Sequence, residues 1–215
     1  MIFYMKKMIL FVIALLIGIG GYSFYSNRSK PNSHQLNFHR AVKPGMGFEN
    51  WTPIAPKDEQ FKAAFPENPS LTTRNLPVPG SDLNIPFKEF KCTLNDEKHF
   101  TVSYITLPEP WLKYGKNLIL GGALKVIMGE MGKVQLVGKE KAVFKTFSAL
   151  DYEYYSQRDQ TETAGTLVLV GNKLYKVEMV YPLHNHDHVQ DELCNFIENF
   201  FPQHGSLATD IPQSQ

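Results

Sequence analysis

The clearest alternation of apolar and polar positions lies in residues 164–182, AGTLVLVGNKLYKVEMVYP, where two apolar runs flank Gly171 and Asn172. After that dipeptide, Tyr175, Val177, Met179 and Tyr181 fall on one face, and Lys176 and Glu178 on the other. A period of two around a turn-forming pair predicts a β-hairpin with one face on a core and one face partly wet. A second hairpin is predicted from residues 85–94 and 99–107. There Phe90, Cys92 and Leu94 alternate with Glu89 and Lys91, Asn95-Asp96-Glu97 turns the chain, and Phe100, Val102 and Tyr104 share a face. Pro108 and Pro110 stop it. A short strand is expected at residues 60–65, ended by Pro66 and Pro69. Strand character returns over residues 143–157, where Asp151-Tyr152-Glu153-Tyr154-Tyr155 alternates acid with aromatic.

Two segments carry the helical period instead. In residues 111–131, Leu112, Leu118, Ile119, Ala123, Val126, Ile127 and Met131 approximate a 3.6-residue stripe. Gly115, Gly121, Gly122 and Gly129 oppose it, each costing about 1 kcal/mol relative to alanine inside a helix. One bent helix and two short ones are both compatible with that pattern. Residues 188–201 form a closing helix with Val189, Leu193, Phe196, Ile197 and Phe200 on its apolar face. The set predicts an α+β fold, a mostly antiparallel sheet flanked by helices, in one domain over residues 49–202.

The start of the chain is different in kind. Behind Lys6 and Lys7, residues 8–27 carry no charge, which is just long enough for a transmembrane helix. Residues 1–27 are therefore expected to be a signal anchor, with Tyr22 and Tyr25 at the far interface. A signal peptide cut after Ser23 is the alternative. The lack of a good A-x-A site and of a nearby cysteine for lipid attachment favours retention. Arg28 and Lys30 nearly cancel the charge bias of Lys6 and Lys7, and the short leader favours a domain outside the cytoplasm. The expected place is thus the inner or cytoplasmic membrane, single-pass. Residues 28–48, with Pro31, Pro44, Gly45 and Gly47, read as a polar tether in which His34 and His39 are solvated. Residues 203–215 read as a disordered tail.

Composition narrows the function. Among 215 residues, 22 Lys plus Arg face 21 Asp plus Glu, and a net charge of +1 argues against a nucleic-acid partner. Apolar residues at 43% and aromatics at 13% suit a domain with a real core. The most site-like cluster is HNHDHVQD, with His184, His186 and His188 beside Asp187 and Asp191. Imidazole and carboxylate suit zinc, copper or nickel. Alternate residues share a face only in an extended segment, however, and this one leads into a helix. Asp187 with Gln190 also has the form of a capping box, so a solvated, capped loop is the plainer reading. Cys92 and Cys194 could pair as a disulfide outside the cytoplasm, or pack as two thiols. Asp151 and Glu153 share a strand face and, with Asp159, could bind a cation or polarise a sugar; a charged solvent face explains them more simply. The glycines of residues 115–122 lack the Lys-Ser/Thr ending of a phosphate loop.

The order of elements resembles a known family. A Trp precedes a Phe-x-x-x-Phe-Pro-x-x-Pro segment (Phe61, Phe65, Pro66, Pro69); a strand pair, a central helix and another strand follow. A Leu-Val-Gly-Asn-x-Leu-Tyr hairpin at residues 169–175 then leads to a last helix ending in Phe200-Phe201-Pro202. Over residues 51–202 this resembles the PsbP-like α/β/α sandwich, in particular its membrane-anchored bacterial envelope members. The resemblance implies a scaffold with no catalytic residues and no cofactor, used for binding or assembly. The expectation is a non-enzymatic, extracytoplasmic membrane protein with an envelope protein partner. The alternative is a metal- or small-ligand-binding domain using His184, His186 and His188.

Overall fold

The computed structural model describes residues 36, 38–42, 47–57, 59–77, 83–95 and 97–203. The expected anchor over residues 1–27, His34 and the tail beyond residue 203 lie outside the described residues. Among those described, no helix is long and apolar enough to cross a membrane.

Strands β1 (Thr52–Ile54), β2 (Phe61–Phe65) and β10 (Phe201–Pro202) make a small antiparallel sheet in the order β1-β2-β10. The main sheet contains β3 (Ser70–Pro77), β4 (Asn84–Leu94), β5 (Lys98–Thr106), β6 (Val134–Phe144), β7 (Phe147–Ser156), β8 (Thr161–Val170) and β9 (Lys173–Pro182). Its order is β3-β4-β5-β9-β8-β7-β6, antiparallel throughout. Helix α1 (Lys116–Glu130) packs on β7 and β8 from one side. Helix α2 (Gln190–Glu198) packs on β8, β9 and β2 from the other. The result is a mostly antiparallel α+β fold with a helix on each face.

Two cores follow from the strand alternation. Val168, Tyr175, Val177, Met179 and Tyr181 join Phe100, Val102 and the α2 residues Leu193, Phe196 and Ile197. Phe196 stacks edge-on against both Phe65 (5.1 Å) and Phe100 (5.3 Å). Leu167, Leu169 and Leu174 point the other way and meet Leu150, Tyr152, Tyr154 and the α1 residues Leu120 and Leu124. The outer face of the β8–β9 hairpin is only partly wet, as the alternation predicts for Lys176, but Glu178 on the same face is buried. Glu178 is buried because Lys176 and the Tyr152 hydroxyl, 2.7 Å from its carboxylate, satisfy it. Gly171 turns this hairpin with φ 58°. Gly165 lies between Tyr152 and Glu178 in the cross-strand row. A β-carbon there would come 2.3 Å from the Val177 carbonyl oxygen.

Several expected elements change. The strand expected over residues 143–157 is a hairpin, β6–β7, which turns through Lys145 at φ 57°. The helix expected over residues 111–131 becomes a 3-10 helix, Glu109–Tyr114, and then α1, divided by Gly115 at φ 87°. Strands β1, β3, β10 and most of β6 were not foreseen, and the closing helix expected over residues 188–201 spans only Gln190–Glu198, with Phe201 beginning β10. The expected tether also reaches the domain: Leu36 and Phe38 are buried in the α2-side core. His39 is held by Asp151 at 2.9 Å rather than solvated, and Arg40 by Asp191 at 2.8 Å.

Candidate functional site

Strand alternation on β7 sends Leu150, Tyr152 and Tyr154 toward α1, and Asp151 and Glu153 toward the α2 side. Asp151 and Glu153 are 2% and 1% exposed, so the solvent face expected for them does not exist. Leu36, Phe38 and His39, the segment after β9 and α2 lie on that side. Asp159, by contrast, stays in the β7–β8 turn, where the Ser156 hydroxyl donates to it at 2.8 Å.

Glu153 is joined by two groups from neighbouring elements. Glu162 enters from β8, and His186 from a 3-10 helix, Leu183–His188, that follows β9. His186 Nδ1 lies 2.7 Å from Glu162 Oε2 and 3.8 Å from Glu153 Oε1. One ligand atom from each of the three residues falls within 4.8 Å of the others. The Tyr181 hydroxyl donates to Glu153 Oε1 at 3.4 Å, and its ring lies 6.4 Å from that of His186. Glu153 Oε2 is buried with no hydrogen-bond partner. Burial, reinforced by the neighbouring Glu162 charge, pushes the Glu153 carboxyl up to about 7. Burial likewise raises the Tyr181 phenol.

Two oxygens and an imidazole nitrogen suit a divalent first-row metal. For a tetrahedral ion about 2.1 Å from each donor, the donors stand roughly 3.4 Å apart. The separations of 2.7 and 3.8 Å from His186 Nδ1 bracket that spacing. Glu153 and Glu162 belong to rigid strands, while His186, partly exposed, closes the site from solvent.

The histidine set expected from sequence is split. A 3-10 helix has three residues per turn, so residues two apart diverge. His184 is exposed and outside the group and His186 points to the carboxylates, while the side chain of His188 lies outside what the structure describes. The capping box also fails: α2 begins at Gln190 behind Val189, with no side-chain cap bond, so Asp187 is not the N-cap residue. Asp191 binds Arg40 instead. Cys92 and Cys194 are buried thiols rather than a disulfide, Cys92 beside Glu67 and Cys194 beside Arg40. Burial raises both above the ordinary thiol value.

A second buried carboxylate has a structural explanation. Glu59 accepts from Lys88 Nζ and the Tyr104 hydroxyl, tying the β1–β2 connection to β4 and β5. Lys173 covers the Tyr104 ring at 4.8 Å. These groups satisfy one another, whereas Glu153 keeps an unsatisfied oxygen.

No protein-family model and no curated protein matches the sequence. Solved structures do. The solution structure of cyanobacterial PsbP (CyanoP) from Synechocystis sp. PCC 6803 superposes with a TM-score of 0.51 at 11% identity, over 75% of this chain and 98% of that one. A Pseudomonas aeruginosa protein of unknown function, PA94, aligns over 71% of this chain and 97% of its own at 11% identity, with a TM-score of only 0.38. At such identity the likeness to CyanoP extends to architecture alone. The chain has a PsbP-like fold.

Proposed function

We propose that this chain is a non-enzymatic binding module, held at a membrane by its N-terminal apolar run, that takes a divalent transition-metal ion at Glu153, Glu162 and His186. The observation that carries the reading is the buried Glu153 oxygen without a partner inside a three-donor group. An unsatisfied buried polar atom costs about 1–3 kcal/mol, more when charged, and an ion removes that cost. Placement outside the cytoplasm belongs to the same proposal. So does membership of the envelope proteins that share this fold, with a partner protein in that compartment.

Titration calorimetry of the full chain in detergent with zinc, and separately with manganese, tests the metal reading. One-to-one binding is expected. His186→Ala and Glu162→Gln should each weaken it more than tenfold, while His184→Ala leaves it unchanged. Equal loss in His184→Ala would restore the histidine cluster, and no binding by the intact chain would end the proposal.

A further inference from the structure

We propose that the solvent side of α1, with the adjoining length of β6, docks on an anionic lipid surface. Leu120 and Leu124 bury one side of α1, yet on the opposite side Leu118 is 52% exposed and Val126 36% exposed. Gly122 and Gly129 fall between them on the helix circumference, and Met131 at the helix end is also exposed. Single exposed apolar residues are ordinary on a protein surface. Their setting is what differs here.

Lys116 and Lys125 on the helix, Lys133 in the following turn, and Lys139 and Lys141 on β6 are all exposed. None enters an ion pair among the described residues. Register places Lys139 opposite Tyr152 and Lys141 opposite Leu150, both of which face α1, so these lysines project to the helix side. Of the two glutamates in residues 116–141, Glu140 pairs opposite Asp151 and turns to the other face, leaving Glu130. An apolar helix side bordered by uncompensated lysines is the composition of an interfacial segment.

Chain length supplies the second argument, and it rests on the membrane-anchor reading. Leu36 packs beside Gly138 of β6. Only residues 28–35 separate it from the expected span, and eight residues reach at most about 29 Å when fully extended. Leu36 enters from the α2 side, while Lys139 and Lys141 project from the other. The tether thus keeps the β6 edge near the bilayer, where lipid headgroups are the abundant anions, and the lysines select the face that docks.

The test uses the full chain in single-copy lipid nanodiscs, with a fluorophore on Leu118→Cys, the native Cys92 and Cys194 being buried. Discs with and without phosphatidylglycerol are compared, using nitroxide lipid and aqueous iodide as quenchers. With phosphatidylglycerol, quenching by the lipid and protection from iodide are expected, and both should be lost in neutral discs. Each lysine near an anionic surface is worth about fivefold, so replacing Lys125, Lys133, Lys139 and Lys141 by Gln should reduce the docked ratio more than a hundredfold. Iodide access in both discs, or protection that ignores lipid charge, would overturn the proposal; the latter would indicate a protein-covered face. If the chain fails to enter discs, the anchor reading falls, and flotation with phosphatidylglycerol vesicles decides the docking by itself. Failure to float would refute it.

Discussion

Glu153→Gln separates shape from charge at the candidate site. Glutamine keeps the volume and removes the ionisation. The folded carboxyl titrates at about 7 against an ordinary 4.5, so over that interval the folded chain holds a proton that the unfolded chain has released. Stability is full below 4.5, falls as pH rises, and levels off above about 7. At 1.36 kcal/mol per unit, the loss is at most about 3 kcal/mol. Glutamine escapes it. With chelator present, the variant should match the parent near pH 5 and exceed it near pH 8 by about 1–3 kcal/mol, or roughly 3–10 °C in Tm. Thermal melts by circular dichroism read this directly. Adding zinc near pH 8 should cancel or reverse the difference, since ligand at a hundred times Kd stabilises only the binding-competent parent by about 2.7 kcal/mol. A variant less stable than the parent at pH 8 without metal would refute the reasoning, because it would mean that His186 already stabilises a charged Glu153.

Other substitutions probe the scaffold. Gly165→Ala forces a β-carbon against the β9 backbone and should cost about 1–3 kcal/mol or more in urea denaturation; a neutral result would show that β8 and β9 can separate locally. Tyr152→Phe removes the donor to Glu178 and is expected to cost about 1–3 kcal/mol, visible as a lower urea midpoint. Phe196→Ala opens a cavity among Trp51, Phe65 and Phe100, with a loss of about 3–5 kcal/mol and red-shifted tryptophan emission. Reductant should leave Tm unchanged, and a drop of several degrees would instead reveal a Cys92–Cys194 bond.

The parts of the fold that were legible are those whose side chains carry the burial pattern themselves. Tyr175, Val177, Met179 and Tyr181 report their face without help, as do Leu193, Phe196 and Ile197 on α2. Edge strands do not. The β3 sequence SLTTRNLP is almost wholly exposed, and Lys139-Glu140-Lys141 in β6 resembles a loop, because an edge need not bury either face. Lys145 hid a hairpin because it takes a positive φ that glycine or asparagine usually signals. The candidate site was half visible. His186 and Glu153 were both singled out, but in separate groups, and nothing near Glu162 marked it. Their meeting depends on strand register and on a 3-10 turn that local sequence does not encode. His39 is similar: only the folded sheet shows that Asp151 awaits it.

The seam between β5 and β9 has a consequence for how the chain reaches this structure. Its paired residues stand 67 to 81 positions apart, whereas the β6–β9 meander and the β4–β5 hairpin close through short turns. Closing a loop of that size costs about 3 kcal/mol more entropy than a two-residue turn. The local pieces are therefore expected to form first and to dock afterwards, with seam closure as the slow step. Until then β5 and β9 both present bare hydrogen-bonding edges flanked by Phe100, Val102, Val177 and Met179. The strands that end at the centre of the sheet thus begin as its most adhesive margins, and crowding during synthesis would act on them before any other part of the molecule.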